Sequence, residues 1–122
     1  WMLPAAGHTC GYVLRHETEP VCYLAGDTIW YYGVRRNIDR WSPQVIIVNA
    51  GGNKFHLGGH VIMHIPDVLK AMDYAPAATF VATHLEGVNH NQVTRVALRE
   101  EVMKCGKADR IHIPEDGEIV EM

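Results

Sequence analysis

A chain of 122 residues with formal net charge −3, 48% hydrophobic and 20% charged, has the composition of one small globular α/β unit. It has no basic excess to hold a nucleic-acid backbone, and no apolar run approaches the roughly 20 residues that span a membrane. The three cysteines, Cys10, Cys22 and Cys105, are odd in number and form no Cys-x-x-Cys pair, the pattern of reduced thiols in a cytoplasmic protein.

In chain order, residues 7–28 read GHTCGYVLRHETEPVCYLAGDT. Residues 11–14 and 21–24 are short runs rich in Val, Tyr and Leu, and the polar stretch 16–20 ends in Pro20, so a hairpin is predicted. Its construction sets His8 just before one strand and Asp27 just after the neighbouring one, at one edge. An imidazole and a carboxylate gathered at strand ends suit a divalent metal such as zinc.

Trp30, Val34, Ile38 and Trp41 then recur at helical spacing, with Thr28 as the predicted N-cap and Ser42-Pro43 as the stop. The aromatic residues Trp30, Tyr31, Tyr32 and Trp41 are read as core packing and helix amphipathicity rather than a ligand platform. Residues 44–48 form a continuous β-branched run, a strand buried on both faces. The turn at residues 49–53 carries Gly51-Gly52 without any phosphate-binding signature. Asn49, Lys54 and His56 there are either substrate contacts or parts of a solvated turn.

His56, His60 and His64 repeat every fourth residue, but Gly58-Gly59 oppose a helix and Val61-Ile62-Met63 favour a strand. On a strand His60 and His64 stand about 13 Å apart, too far to share one metal. A helix over residues 66–74, a buried strand over 77–83 and a helix over 91–105 follow. The last of these has Val93, Val96, Ala97 and Met103 as its apolar face. Short strands at 110–113 and 118–120 around the turn Pro114-Glu115-Asp116-Gly117 close the chain. His84 ends the second buried strand, and Glu86 and His90 lie near enough to orient ligands or to cap the next helix.

Gly7-His8-Thr9-x-Gly11, then Gly26-Asp27-Thr28, then His84 in FVATHLEGVNH, resemble in order three metal-binding motifs of the metallo-β-lactamase-fold hydrolases. Residues 7–122 look like the C-terminal half of that αββα sandwich, a mixed sheet with helices. They are most similar to the branch that includes the bacterial ascorbate-6-phosphate lactonase. The family's leading signature, His-x-His-x-Asp-His, is absent from the 122 residues. The chain is therefore expected to be a single α/β unit, residues 1–122, lacking the N-terminal half that carries it.

The resemblance implies two divalent metal ions, zinc first and manganese or iron as alternatives. His8 would complete one metal site, Asp27 would bridge both and His84 would serve the second. Asp27 thereby becomes the catalytic carboxylate of a hydrolase acting on an ester, lactone or phosphodiester of a small molecule. Asn49, His56, Glu86 and His90 are second-layer or substrate-contact candidates. Cys10 is expected to be neither ligand nor nucleophile, because no base is apparent beside it. A binuclear-iron redox protein of the same fold and a non-catalytic interaction fragment are the alternatives. The expected partner is the missing half or a second copy, covering a sheet face that a half-fold leaves open.

Overall fold

The computed structural model describes residues 9–54, 58–87 and 89–122. Its architecture is α/β, with a five-stranded mixed sheet and three ten-residue helices. Strands β1 (Tyr12–Leu14) and β2 (Cys22–Leu24) form the expected antiparallel hairpin. Helix α1 (Tyr32–Trp41) leads to β3 (Val45–Asn49), α2 (Ile65–Tyr74) to β4 (Thr79–Thr83), and α3 (Arg95–Lys104) to β5 (Ile111–His112). The strand order is β1-β2-β3-β4-β5, and β2 to β5 run parallel.

A strand order that advances in one direction through right-handed crossovers puts every helix on the same face. The core confirms it. The register aligns Tyr23, Ile46, Phe80 and Ile111 in one row across four strands. All four are buried in one cluster with Val34 and Ile38 of α1, Val68 and Met72 of α2, and Leu98 and Val102 of α3. Each large side chain fully buried there contributes about 1.5–3 kcal/mol. The other face presents Tyr12, Leu14, Cys22, Leu24, Val45, Ile47 and Val81, and no helix of that cluster packs on it. Tyr12 and Leu14 are 63% and 58% exposed there, and Leu14, Pro20, Cys22, Val45 and Met122 line a groove of about 390 Å³.

Several expectations about element ends change. Helix α1 starts at Tyr32 rather than after Thr28, and its N-cap, Tyr31, makes no side-chain cap bond. The Thr28 hydroxyl donates instead to the Ile29 carbonyl at 3.0 Å, and the Trp30 N–H goes to the Asp67 carboxylate at 3.3 Å. Trp30 packs against the core from outside the helix, whereas Tyr31 and Tyr32 are exposed. Helix α3 starts at Arg95, capped by the Thr94 hydroxyl, which accepts from the Ala97 N–H at 3.1 Å. The preceding segment is committed elsewhere, since the N–H groups of Gln92 and Val93 both donate to the Gly51 carbonyl. The buried face of α3 is Leu98 and Val102; Val96 and Met103 are 61% and 70% exposed. Residues 118–120 form no strand, and the Glu118 N–H closes a turn onto the Glu115 carbonyl at 3.1 Å. No helix of the described residues is long and apolar enough to cross a membrane.

Candidate metal centre

The carboxyl ends of β2, β3 and β4 lie side by side, and the chain leaving each carries one polar residue of interest. After β2, Gly26 adopts φ +73°, a left-handed conformation that glycine takes without penalty. A Cβ there would stand 3.0 Å from the Cys10 carbonyl oxygen. Ala25 still pairs with β3, its N–H donating to the Ile47 carbonyl at 2.9 Å, so the turn bearing Asp27 has a fixed base.

Asp27 is exposed at the surface of this edge. Its Oδ1 accepts a hydrogen bond from Nδ2 of Asn49, the last residue of β3, at 2.6 Å. The Asn49 side-chain oxygen, Oδ1, accepts in turn from the Thr83 hydroxyl at 3.0 Å, and Thr83 is the last residue of β4. Asp27, Asn49 and Thr83 therefore form one chain of contacts across three strand ends, and His84 is the next residue.

His84 adopts φ +55°, one of two non-glycine residues among those described with positive φ. That region costs a side-chain-bearing residue about 1–3 kcal/mol and persists only where the surroundings impose it. Asn91 supplies the restraint: its Nδ2 donates to the carbonyl oxygens of His84, at 3.2 Å, and Leu85. Gly51 permits the approach, because a Cβ on it would lie 2.4 Å from the His84 carbonyl oxygen. The imidazole is left exposed, with no hydrogen-bond partner among the described residues.

An exposed carboxylate whose Oδ2 has no hydrogen-bond partner among the described residues, and an exposed imidazole two strands away on the same side of the sheet, are the donor types a divalent cation takes. The fit is partial, since the described residues hold no group of three or more His, Cys, Asp or Glu side chains that could hold a metal ion. His8 and His56 lie outside the described residues.

The remaining candidates separate. Glu86 turns to α3, where Oε1 accepts from the Arg95 N–H at 2.7 Å and Oε2 pairs with the Arg95 guanidinium. The Arg95 backbone N–H, together with its guanidinium, holds the Glu86 carboxyl below its ordinary range. Its role is that of a helix cap. His90 is exposed and has no hydrogen-bond partner among the described residues. Cys10 is exposed and free, as are Cys22, half-buried, and Cys105, exposed.

The strand reading of residues 60–64 fails. The chain pairs only at an isolated bridge between Lys54 and His60, and the rings of His60 and His64 stack with centroids 4.0 Å apart. His60 Nδ1 donates to the Gly52 carbonyl at 2.8 Å. His64 Nδ1 lies 3.3 Å from the buried Asp67 carboxylate, a separation that suits an ion pair, although the angle does not make a hydrogen bond. Linear spacing along a strand could not foresee a turn through Gly58-Gly59.

No family model matches the chain. A curated relative, the UPF0173 protein YddR of Bacillus subtilis (strain 168), is 37% identical over 117 residues, covering 96% of this chain and 46% of its own length. Among solved structures, an isothiocyanate hydrolase from Delia radicum gut bacteria is 38% identical with TM-score 0.91, covering 94% of this chain and 45% of that one. A possible metal-dependent hydrolase from Veillonella parvula DSM 2008 is 32% identical with TM-score 0.89, covering 94% of this chain and 44% of that one. The chain thus spans about half the length of the relatives it matches, and it shares its fold with part of two proteins named as hydrolases. None of these relatives carries the lactonase name, so the narrower likeness to the ascorbate-6-phosphate lactonase branch gains no support.

Proposed function

We infer that the chain is the C-terminal half of a metal-dependent hydrolase of metallo-β-lactamase fold, and that His8, Asp27 and His84 are its share of the metal ligands. The observation that carries this reading is the convergence of Asp27 and His84 at one sheet edge, linked through Asn49 and Thr83, with His84 held in a strained backbone conformation. The similarity to two proteins named as hydrolases, each over 94% of the chain, supports it.

His8, Asp27 and His84 would hold divalent metal, which would supply Lewis-acid polarisation of the scissile group and a water acidic near neutral pH. The protein's part is to hold the donors. Asp27 supplies a carboxylate whose negative charge offsets repulsion between two dications. His84 supplies an imidazole from a backbone held by the Asn91 amide. The substrate is a small molecule with an electrophilic carbon or phosphorus. Isothiocyanates, on the ground of one similar structure, join esters, lactones and phosphodiesters as compounds to assay. Zinc is the first choice of metal, and metal analysis of the complete protein tests it: an iron pair without hydrolysis would favour redox chemistry instead.

Asp27→Ala in the complete protein is the direct test. It is expected to lose bound metal and turnover together while the fold is kept. Hydrolysis at the wild-type rate would overturn the assignment.

The open sheet face bears on the partner. We assign it to the other half of the protein, because the similar structures are about twice as long as this chain. Cys22 lies on that face, so its thiol is expected to be labelled by a maleimide in the isolated 122 residues and protected in the complete protein. Burial already pushes the Cys22 thiol up from its ordinary range, so labelling belongs at mildly alkaline pH. Equal labelling of the two forms would reject this assignment, and a self-associated isolated chain would point to a second copy.

A further inference from the structure

Resting on the reading of Asp27 as a ligand, we propose that Asn49 and Thr83 form a relay that positions the Asp27 carboxylate for metal, Asn49 acting directly and Thr83 through it. The chemistry of the donors dictates the direction of each bond. A carboxylate only accepts, so the atom of Asn49 that faces Asp27 Oδ1 at 2.6 Å is the amide nitrogen. The amide oxygen then faces Thr83, whose hydroxyl donates to it at 3.0 Å. That bond gives the Asn49 oxygen a donor and holds the amide plane, the Val48 carbonyl being the hydroxyl's other, longer neighbour at 3.3 Å.

The relay stands on rigid backbone. Asn49 and Thr83 are register partners at the ends of β3 and β4, and the Ala50 N–H donates to the Thr83 carbonyl at 2.9 Å. Asn49 is half-buried, which shields its amide from water on one side. A charge-assisted bond at 2.6 Å is of the strong kind, and it stops rotation of a carboxylate that otherwise sits on an exposed Gly-Asp-Thr turn. One oxygen of Asp27 is thereby engaged, and the other, Oδ2, has no hydrogen-bond partner among the described residues. Thr83 is followed at once by His84, so the β3–β4 pair sets the position of both ligands. Partners one layer behind a ligand typically change metal affinity about 10–100-fold when removed.

The test uses the complete protein stripped of metal, with zinc titrated against a competing chromophoric chelator and unfolding of the metal-free protein followed in parallel. Asn49→Leu, similar in volume, is expected to weaken zinc binding about 10–100-fold and to leave the metal-free unfolding midpoint in place. Thr83→Val is expected to show a smaller loss, and Thr83→Ser, which keeps the hydroxyl, to restore affinity. Zinc binding by Asn49→Leu at or above wild-type affinity would overturn the relay, as would a loss matched by an equal loss of metal-free stability. Should Asn49→Leu fail to fold, the contrast between Thr83→Val and Thr83→Ser decides, and equal affinities there overturn the relay. Asp27→Ala separates the levels. If it binds zinc normally the metal reading itself falls, whereas if it does not and Asn49→Leu does, only the relay falls.

Discussion

Two polar networks lie on either side of His84, and they differ in what they leave unused. Around Arg95 every nitrogen is engaged: the backbone N–H on Glu86, Nε on the Pro114 carbonyl at 2.7 Å, one terminal nitrogen on Glu86 and the other on Asp116 at 2.6 Å. Arg99 repeats the pattern on the Ile113 carbonyl and Glu115. At the strand edge, Asp27 has one oxygen engaged, and the His84 imidazole has no hydrogen-bond partner among the described residues. A network that consumes its own hydrogen-bonding capacity joins segments, here the loop after β4, helix α3 and the C-terminal tail. A network that fixes its donors and leaves them open is prepared for something else. Charge proximity alone would favour the Arg95 cluster as the functional centre; the unpartnered carboxylate oxygen and imidazole at the strand ends point the other way.

The largest expected effect tests the open network. His84→Ala should weaken zinc binding by more than about 100-fold, beyond the loss typical of an outer hydrogen bond, without lowering the stability of the metal-free protein. Competition titration and thermal unfolding of the same samples check both halves. The closed network should respond in the opposite sense. Arg95→Met leaves Glu86, Asp116 and a backbone carbonyl without their cation and should cost about 1–2 kcal/mol of stability, with zinc affinity near wild type. If Arg95→Met lost zinc as steeply as His84→Ala, the division between the two networks would collapse.

A finer contrast lies within His84 itself. At φ +55° an alanine is strained and a glycine is not, so metal-free His84→Gly should exceed His84→Ala in stability by about 1 kcal/mol, although neither holds metal. Denaturant midpoints of the two variants measure it, and equal midpoints would show that the left-handed backbone stores no strain. The smallest effect concerns Glu86, whose carboxyl is held low by the Arg95 N–H and guanidinium. A depressed folded-state pKa contributes stability that is present above the unfolded value, about 4.3, and is lost as pH falls through the lower folded value. Glu86→Gln should therefore reduce the acid sensitivity of unfolding below about pH 4 and leave the profile near neutrality unchanged in shape. Identical acid slopes for variant and wild type would remove Glu86 from the cap.

Much of the fold was legible because it rests on local pattern. The β-branched runs that became β3 and β4 could be little else, and Pro66 and Pro76 bracketed α2 closely. The hairpin and the placing of Asp27 and His84 at strand ends followed from the same alternation of apolar runs and turns, whereas the mixed sheet was expected only from the family resemblance.

What the sequence determined by itself, then, was which residues form strands and helices and which donor types stand at their ends. Tertiary structure decided where elements begin and which way side chains face, because distant groups competed with local ones for the same hydrogen bonds. Helix α1 starts late since the Trp30 N–H is taken by Asp67, 37 positions away. Helix α3 starts late since Gln92 and Val93 are held on Gly51. His60 and His64, spaced for a strand, stack because the backbone between them never becomes one. The direction of the Asn49 amide is set by Thr83, 34 positions on, and the strain at His84 by the Asn91 side chain. Most of these partners are distant in the chain, and the nearer ones meet only through turns, so no periodicity or propensity within a local window carries their signal.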